Sequence, residues 1–252
     1  MSLGEKRDRE AVALRSFGRR RGRKPSPRQA RLLAELLPRV AIDLAAPPPS
    51  AATELFPLPV REVWLEIGFG GGEHLVWQAA RQPDVGLIGA EPFEDGVVKV
   101  LTRIEEQALR NVRLVSDDAR PLLAWLPPAS IARAFVLFPD PWPKARHRKR
   151  RLVGRELLDQ LARVMRPGGT LRLATDIGDY AGGMLEAAVA NGAFTWQVES
   201  PADWRQRAAD WPETRYEAKA RAAGRKCYFL TFLHHRAEPS PACLSEGGAS
   251  RG

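Results

Sequence analysis

Long apolar runs are missing from this sequence. Nowhere do about 18 apolar residues follow one another, which excludes a membrane-spanning helix. The opening stretch, MSLGEKRDREAVALRSFGRRRGR, has no apolar core and no small-residue cleavage pattern, so it does not read as a secretory leader. Cysteine is scarce. Cys227 and Cys243 are too few for a disulfide scaffold or a cysteine-based zinc site, and this usage suits a reducing cytoplasm. The four histidines show no ligand spacing, so no metal is expected. No internal repeat is present. What remains is an ordinary globular composition, with 44% hydrophobic and 27% charged residues in 252. That fits one domain with extensions and excludes wholesale disorder.

Acidic residues are also absent from one place where they would be expected. The chain carries net charge +9, and the excess sits in two segments. Residues 1–31 hold eleven Lys/Arg against three acids, net +8; residues 144–155, KARHRKRRLVGR, hold seven Lys/Arg and no acid, net +7. The rest of the chain is therefore net −6. Concentrated cations on a mildly acidic body suit a polyanionic partner, although a basic terminus can also serve solubility alone.

Strand and helix patterns alternate through the middle of the chain. Ser26 and Pro27 open a short helix striped by Leu32, Leu33, Leu36 and Leu37. APPPSAAT (46–53) reads as a linker. Strands are expected at 61–68, 85–91, 111–119, 132–140, 169–176, 194–200 and 226–234. Helices fall between most of them, and Pro167-Gly168-Gly169 is expected to end the one before the fifth strand. This predicts a mostly parallel seven-stranded α/β sheet, helices on both faces, with the last two strands as an antiparallel edge pair. The division predicted is 1–53 as basic extension, short helix and linker, 54–237 as the main domain, and 238–252 as a polar, disordered tail.

Chemistry gathers at the ends of the strands, where such sheets bind ligands. Gly68, Gly70 and Gly72 follow the first strand, Glu91 ends the second, and Asp117-Asp118 ends the third. A carboxylate at position 91 can accept both hydroxyls of a ribose. Glu73 stands where a dinucleotide fingerprint needs glycine, and Glu66 and Glu73 would repel a phosphate. The loop therefore suits a nucleoside cofactor without phosphates, such as S-adenosylmethionine. Glu66 could face its cationic end and Asp118 its adenine amine. A plain glycine turn with solvated strand ends is the alternative.

The fourth strand ends in Phe138-Pro139-Asp140-Pro141-Trp142-Pro143-Lys144, where prolines restrict the backbone around one aspartate. FPDPWPKARHRKRR resembles the signature of the tRNA (guanine-N7)-methyltransferase family. Further matches are Arg15-Ser16-Phe17-Gly18-Arg19-Arg20 with Gly22-Arg23, Glu66-Ile67-Gly68-Phe69-Gly70, Ala174-Thr175-Asp176 with Tyr180-Ala181, and Thr214-Arg215-Tyr216-Glu217. The resemblance covers roughly residues 15–234. It implies a Rossmann-like class I methyltransferase fold and methyl transfer from S-adenosylmethionine to N7 of a variable-loop guanine in tRNA. It implies cofactor positions at Glu66, Glu91, Asp118 and Asp140, Asp140 also being the catalytic candidate, with Gly68 and Gly70 as the close-approach glycines. Substrate positions implied are Lys144, Asp176, Thr214, Arg215, Tyr216 and Glu217, with Arg146, His147, Arg148, Lys149, Arg150 and Arg151 as the RNA-contacting run. The protein would act as a monomer or homodimer.

Three positions depart from the family pattern. Pro92 alters the ribose corner, Pro143 stiffens the loop, and Gly71 is expected to leave the glycine loop with little steric definition. For Phe138 and Trp142, core packing is the simpler role than base stacking. Rival readings are a methyltransferase for exocyclic amines, whose Asn/Asp-Pro-Pro-aromatic loop has another register, and a non-catalytic RNA-binding protein. A dehydrogenase is a distant third, because of Glu73.

Overall fold

The computed structural model describes residues 24–235; the arm before Lys24 and the tail after His235, with the expectations placed on them, lie outside the described residues. A first helical stretch runs as α1 (Pro27–Arg31), a π-helical turn (Leu32–Leu36) and α2 (Leu37–Val40). Ser26 caps it with a reciprocal bond to Gln29. Then come β1 (Glu62–Ile67), α3 (Glu73–Arg81), β2 (Val85–Ala90), α4 (Glu94–Gln107), β3 (Val112–Val115), α5 (Ala119–Trp125) and β4 (Ile131–Leu137). The chain continues through a 3-10 turn (Ala145–Arg150), α6 (Arg155–Val164), β5 (Met165–Thr175), α7 (Gly178–Asn191) and β6 (Phe194–Trp196). It ends in α8 (Ala202–Arg205), α9 (Arg215–Ala222) and β7 (Tyr228–His234).

The sheet order is β3-β2-β1-β4-β5-β7-β6. Neighbours from β3 to β5 are parallel, and β7 runs antiparallel to both β5 and β6. The predicted sheet and its edge pair are therefore observed. Order reverses between β1 and β4, so the carboxyl ends of these strands flank the crevice where ligands bind in such folds.

Apolar residues pack on both faces. Leu65, Ile88, Val136 and Leu158 belong to one buried cluster, and Leu75, Leu87, Leu101 and Phe135 to the other. In α6 the buried Leu157, Leu158, Leu161 and Val164 recur at helical spacing, so that stripe faces the sheet. The 24–60 segment also docks. Leu32 is fully buried in the second cluster, Arg28 and Arg31 pair with Glu105 of α4, and Phe56 lies over Gly86.

One boundary differs from expectation. Pro167-Gly168-Gly169 does not separate helix from strand; α6 passes directly into β5 at Met165, and the prolyl-glycyl stretch lies inside the strand. The register against β4 slips there, from Ile131 opposite Met165 to Arg133 opposite Thr170. The turn residues are absorbed as a bulge, which glycine permits at low cost.

Candidate active site

The glycine loop joins β1 to α3 through a left-handed backbone, with Gly70 at φ 55° and Gly72 at φ 72°. Side chains other than glycine rarely adopt such angles. Gly68 lines the cleft, and a methyl group built on it would meet nothing within 4 Å. Gly71 behaves otherwise. A methyl there would lie 1.2 Å from Arg215 Nη2, because the guanidinium folds over the loop and its Nε donates to Glu73 at 2.5 Å. The expected slackness at this position is thus corrected: Gly71 is small because an arginine fills the space.

Glu91 is buried at the mouth of the same loop. Its Oε2 accepts from the Gly70 amide at 2.8 Å and its Oε1 from the Phe93 amide at 2.9 Å. Each oxygen keeps a second lone pair. Burial pushes the Glu91 carboxyl above its ordinary range, against the lowering effect of those two amides. Pro92, between the two contacts, leaves this geometry intact.

Glu66 takes a different position from Glu91. It is 3% exposed, does not line the cleft, and bonds His74 Nδ1 at 2.7 Å. Gln78 Nε2 lies 3.1 Å from His74 Nε2 and also donates to the Asp210 carbonyl. Since the amide nitrogen can only donate, His74 Nε2 accepts and Nδ1 carries the proton to Glu66. Asp118 lines the cleft as N-cap of α5, but Arg120 claims it through its backbone N at 2.9 Å and Nε at 2.8 Å.

Asp140 stands beyond the end of β4 at the switch point. It is exposed, lines the cleft, and makes no hydrogen bond or ion pair among the described residues. The loop carrying it is strained at both ends, with Phe138 at φ 52° and Trp142 at φ 40°. Bulky residues in this region cost about 1–3 kcal/mol each, and persist only where the surroundings hold them. Phe138 is tied by its amide to the Ala174 carbonyl and packs edge-on to Phe229. Trp142 meets the His147 ring, with the Arg150 guanidinium 5.1 Å from its centre. Phe138 packs against the core as expected, whereas Trp142 lies outside both buried clusters, and both rings line the cleft.

The basic run divides in two. Lys144, Arg146 and Lys149 are exposed and have no carboxylate partner among the described residues. Lys149 and Arg150 line the cleft. Arg148 and Arg151 instead pair with Asp179 at 2.8 and 3.0 Å. His147 Nε2 accepts from Arg146 Nε at 3.3 Å. Desolvation, then the charges of Arg150 and Lys144, lower the pKa of this imidazole from its ordinary value.

The remaining substrate candidates also separate. Tyr216 and Asp176 line the cleft, Tyr216 resting on Gly70 and Asp176 accepting from Arg225 Nε at 2.7 Å. Thr214 and Glu217 do not line it. Thr214 caps α9, accepting from the Glu217 amide, and the fully buried Glu217 carboxylate is held by Arg207 and Arg221. These two shape α9, which presents Tyr216. Six partners escaped the sequence reading: His74, Arg120, Asp179, Arg207, Arg221 and Arg225. Only Arg120, two residues after Asp118 at a helix start, and Arg221, four residues after Glu217, carried a local signal.

The cleft encloses about 710 Å³, within the range of small-molecule sites. Residues 60–230 match a family described as "Putative methyltransferase". The tRNA (guanine-N(7)-)-methyltransferase of Rhizobium meliloti is 49% identical over 216 residues, covering 86% of this chain and 93% of that protein. The chain belongs to that family. Its counterpart in Rhodospirillum rubrum is 47% identical over 94% of each chain. In fold, the 16S rRNA methyltransferase KamB superposes with TM-score 0.50 at 18% identity, covering 69% of this chain and 89% of that one. The fold is thus the Rossmann-like class I methyltransferase fold, and the chain is a methyltransferase. Among the described residues no helix is long and apolar enough to cross a membrane, and no three His, Cys, Asp or Glu side chains cluster as a metal site.

Proposed function

We propose that the protein transfers a methyl group from S-adenosylmethionine to N7 of a guanine in the variable loop of tRNA. The observation carrying this reading is Asp140: an exposed carboxylate without a bonding partner among the described residues, in a stiff loop over the same cleft as Gly68, Gly70 and Glu91. The family relationship supports both substrates.

The residues fit the cofactor. Glu91 offers two spare lone pairs to a pair of ribose hydroxyls, and Gly68 leaves open space beside them. Asp118 stands at the adenine end with its Arg120 partner. Glu66 acts from behind the loop, through His74, in setting its shape. When bound, S-adenosylmethionine supplies an electrophilic methyl on a sulfonium.

Guanine N7 is an in-plane lone pair that carries no proton, so the chain need not supply a general base. Its tasks are to align N7 and to stabilise the positive charge that develops on the purine. Asp140 does the second, and accepts from the guanine N1–H and amine. Tyr216 closes the other side of the cleft. A guanine held in tRNA tertiary structure must be extruded, and Lys144, Arg146 and Lys149 grip phosphates while this occurs. On this reading residues 54–237 form the methyltransferase unit, with residues 1–53 as its basic extension.

Incubating the protein with labelled S-adenosylmethionine and unmodified tRNA, followed by nucleoside analysis, tests the reading. N7-methylguanosine is expected. Label on an exocyclic amine, or none at all, would refute it.

A further inference from the structure

Arg151 closes the basic run, yet its surroundings differ from those of its neighbours. Its side chain is 10% exposed, whereas that of Arg148 is 57% exposed. Arg151 also lines the cleft, but two of its three guanidinium nitrogens are turned inward. Nη2 donates to both Asp179 oxygens, at 3.0 and 3.1 Å, and Nε donates to the Pro141 carbonyl at 3.1 Å. The guanidinium carbon lies 4.6 Å from the centre of the Tyr180 ring. The Tyr180 hydroxyl in turn accepts from the Val153 amide at 3.0 Å, fixing the backbone two residues on. One planar cation thus joins the loop beyond β4 to the start of α7.

We propose that Arg151 is a positioning residue for Asp140, a brace that holds the strained proline loop against α7, and not a phosphate contact. The inference rests on the function proposed above for Asp140, but its geometry stands independently. Pro141 follows Asp140 directly and its ring restricts its own φ, so holding the Pro141 carbonyl restrains the backbone one residue from the carboxylate. The two left-handed residues, Phe138 and Trp142, flank this segment and need something to hold them. Phe138 has the Ala174 carbonyl. On the other side, the bond to Pro141 comes from Arg151. Asp179 completes the brace, and its bond to Arg151 lowers the pKa of its carboxyl. Lysine cannot replace arginine here, since a point charge lacks the Nε–H that meets Pro141 while Nη2 meets Asp179.

Four full-length variants separate a brace from a phosphate contact: Arg151→Lys, Arg151→Met, Asp179→Asn and Lys149→Gln. Folding is checked by thermal melting and by S-adenosylmethionine affinity. Between Pro139 and Pro143 only Asp140 and Trp142 have backbone N–H groups, so 15N relaxation at these two positions reports the mobility of the loop directly. The brace predicts clearly lower order parameters at both positions in Arg151→Lys and Asp179→Asn, and kcat at least tenfold lower. It predicts an unchanged salt dependence of tRNA binding in Arg151→Met, against a flatter one in Lys149→Gln. Unaltered order parameters in Arg151→Lys, or a salt slope in Arg151→Met reduced as much as in Lys149→Gln, would overturn it. If the unaltered protein methylates no tRNA, the proposed function fails, and the relaxation measurement still decides the brace.

Discussion

Carboxylates in and behind this cleft stand in three different settings, and the side chains around them set what each can do. Asp140 has no cation or donor against it among the described residues, so its full charge is available to the reacting purine. Asp140→Asn keeps the shape and one acceptor but loses the charge. Turnover should fall by about 2.7–4 kcal/mol, or 10²–10³-fold in kcat, if the loss resembles that of one preorganised electrostatic contact. tRNA affinity measured by filter binding should stay near the original, since phosphate contacts come from elsewhere. Glu91 is tuned the other way. Burial raises its pKa, and on the proposed function only the ionised form would accept from both ribose hydroxyls. Cofactor affinity is therefore complete above that raised pKa and is lost as pH falls through it, starting above the ordinary carboxylate range. Calorimetry across pH should show this limb, and Glu91→Gln should abolish it while weakening binding at neutral pH. Glu91 and Asp140 were legible because strand ends and prolines mark them in the sequence. The hold of His74 on Glu66 was not, because it depends on Gln78 and on the Asp210 carbonyl, 132 residues from Gln78 in sequence.

Short elements were the hardest to foresee, because they draw their stability from tertiary partners more than from their own periodicity. α5, α8 and α9 show too few apolar repeats to read, whereas the striped α6 and the capped α1 could be placed. The bulge in β5 has the residues of a helix stop, and only the pairs that flank it, Met165 with Ile131 before it and Thr170 onward with β4 and β7 after it, keep the chain in the sheet. α9 is the functional case. Its N-terminus is latched to the glycine loop by Arg215 and Glu73, and Tyr216 follows immediately. Gly71→Ala should expel the guanidinium, and Arg215→Met should remove it. Each variant alone should raise the KM for tRNA several-fold by freeing Tyr216, with little change in melting temperature. The double variant should be no worse than either single one, because both break the same latch. Additive losses in the double-mutant cycle would show that the latch is not the shared cause.

At the scale of the whole molecule, some of the cations counted in the sequence already hold acids among the described residues. Arg28 and Arg31 are engaged by acids of α4, and Arg148 and Arg151 by Asp179. Lys144, Arg146 and Lys149 have no such acid among the described residues and remain available. Neutralising these three should reduce the slope of log affinity against log salt by about 0.7 to 0.9 for each phosphate no longer gripped. Neutralising Arg28 and Arg31 should leave the slope unchanged and lower the melting temperature slightly, since exposed pairs contribute only about 0–1 kcal/mol. The docked segment before β1 has one more effect. β3 is the outermost strand on its side of the sheet, and its Val112–Val115 stretch is largely apolar. Ala41 forms a bridge with Leu114, and the Ile42 amide donates to the Leu114 carbonyl at 2.9 Å. The opposite margin is closed differently, by β6, a strand of only three residues. Chain 41–42 therefore occupies part of the rim onto which another molecule's strand would otherwise add. Shortening the protein to begin near residue 46 should uncover it, and light scattering on warming should then report self-association well before the sheet itself melts.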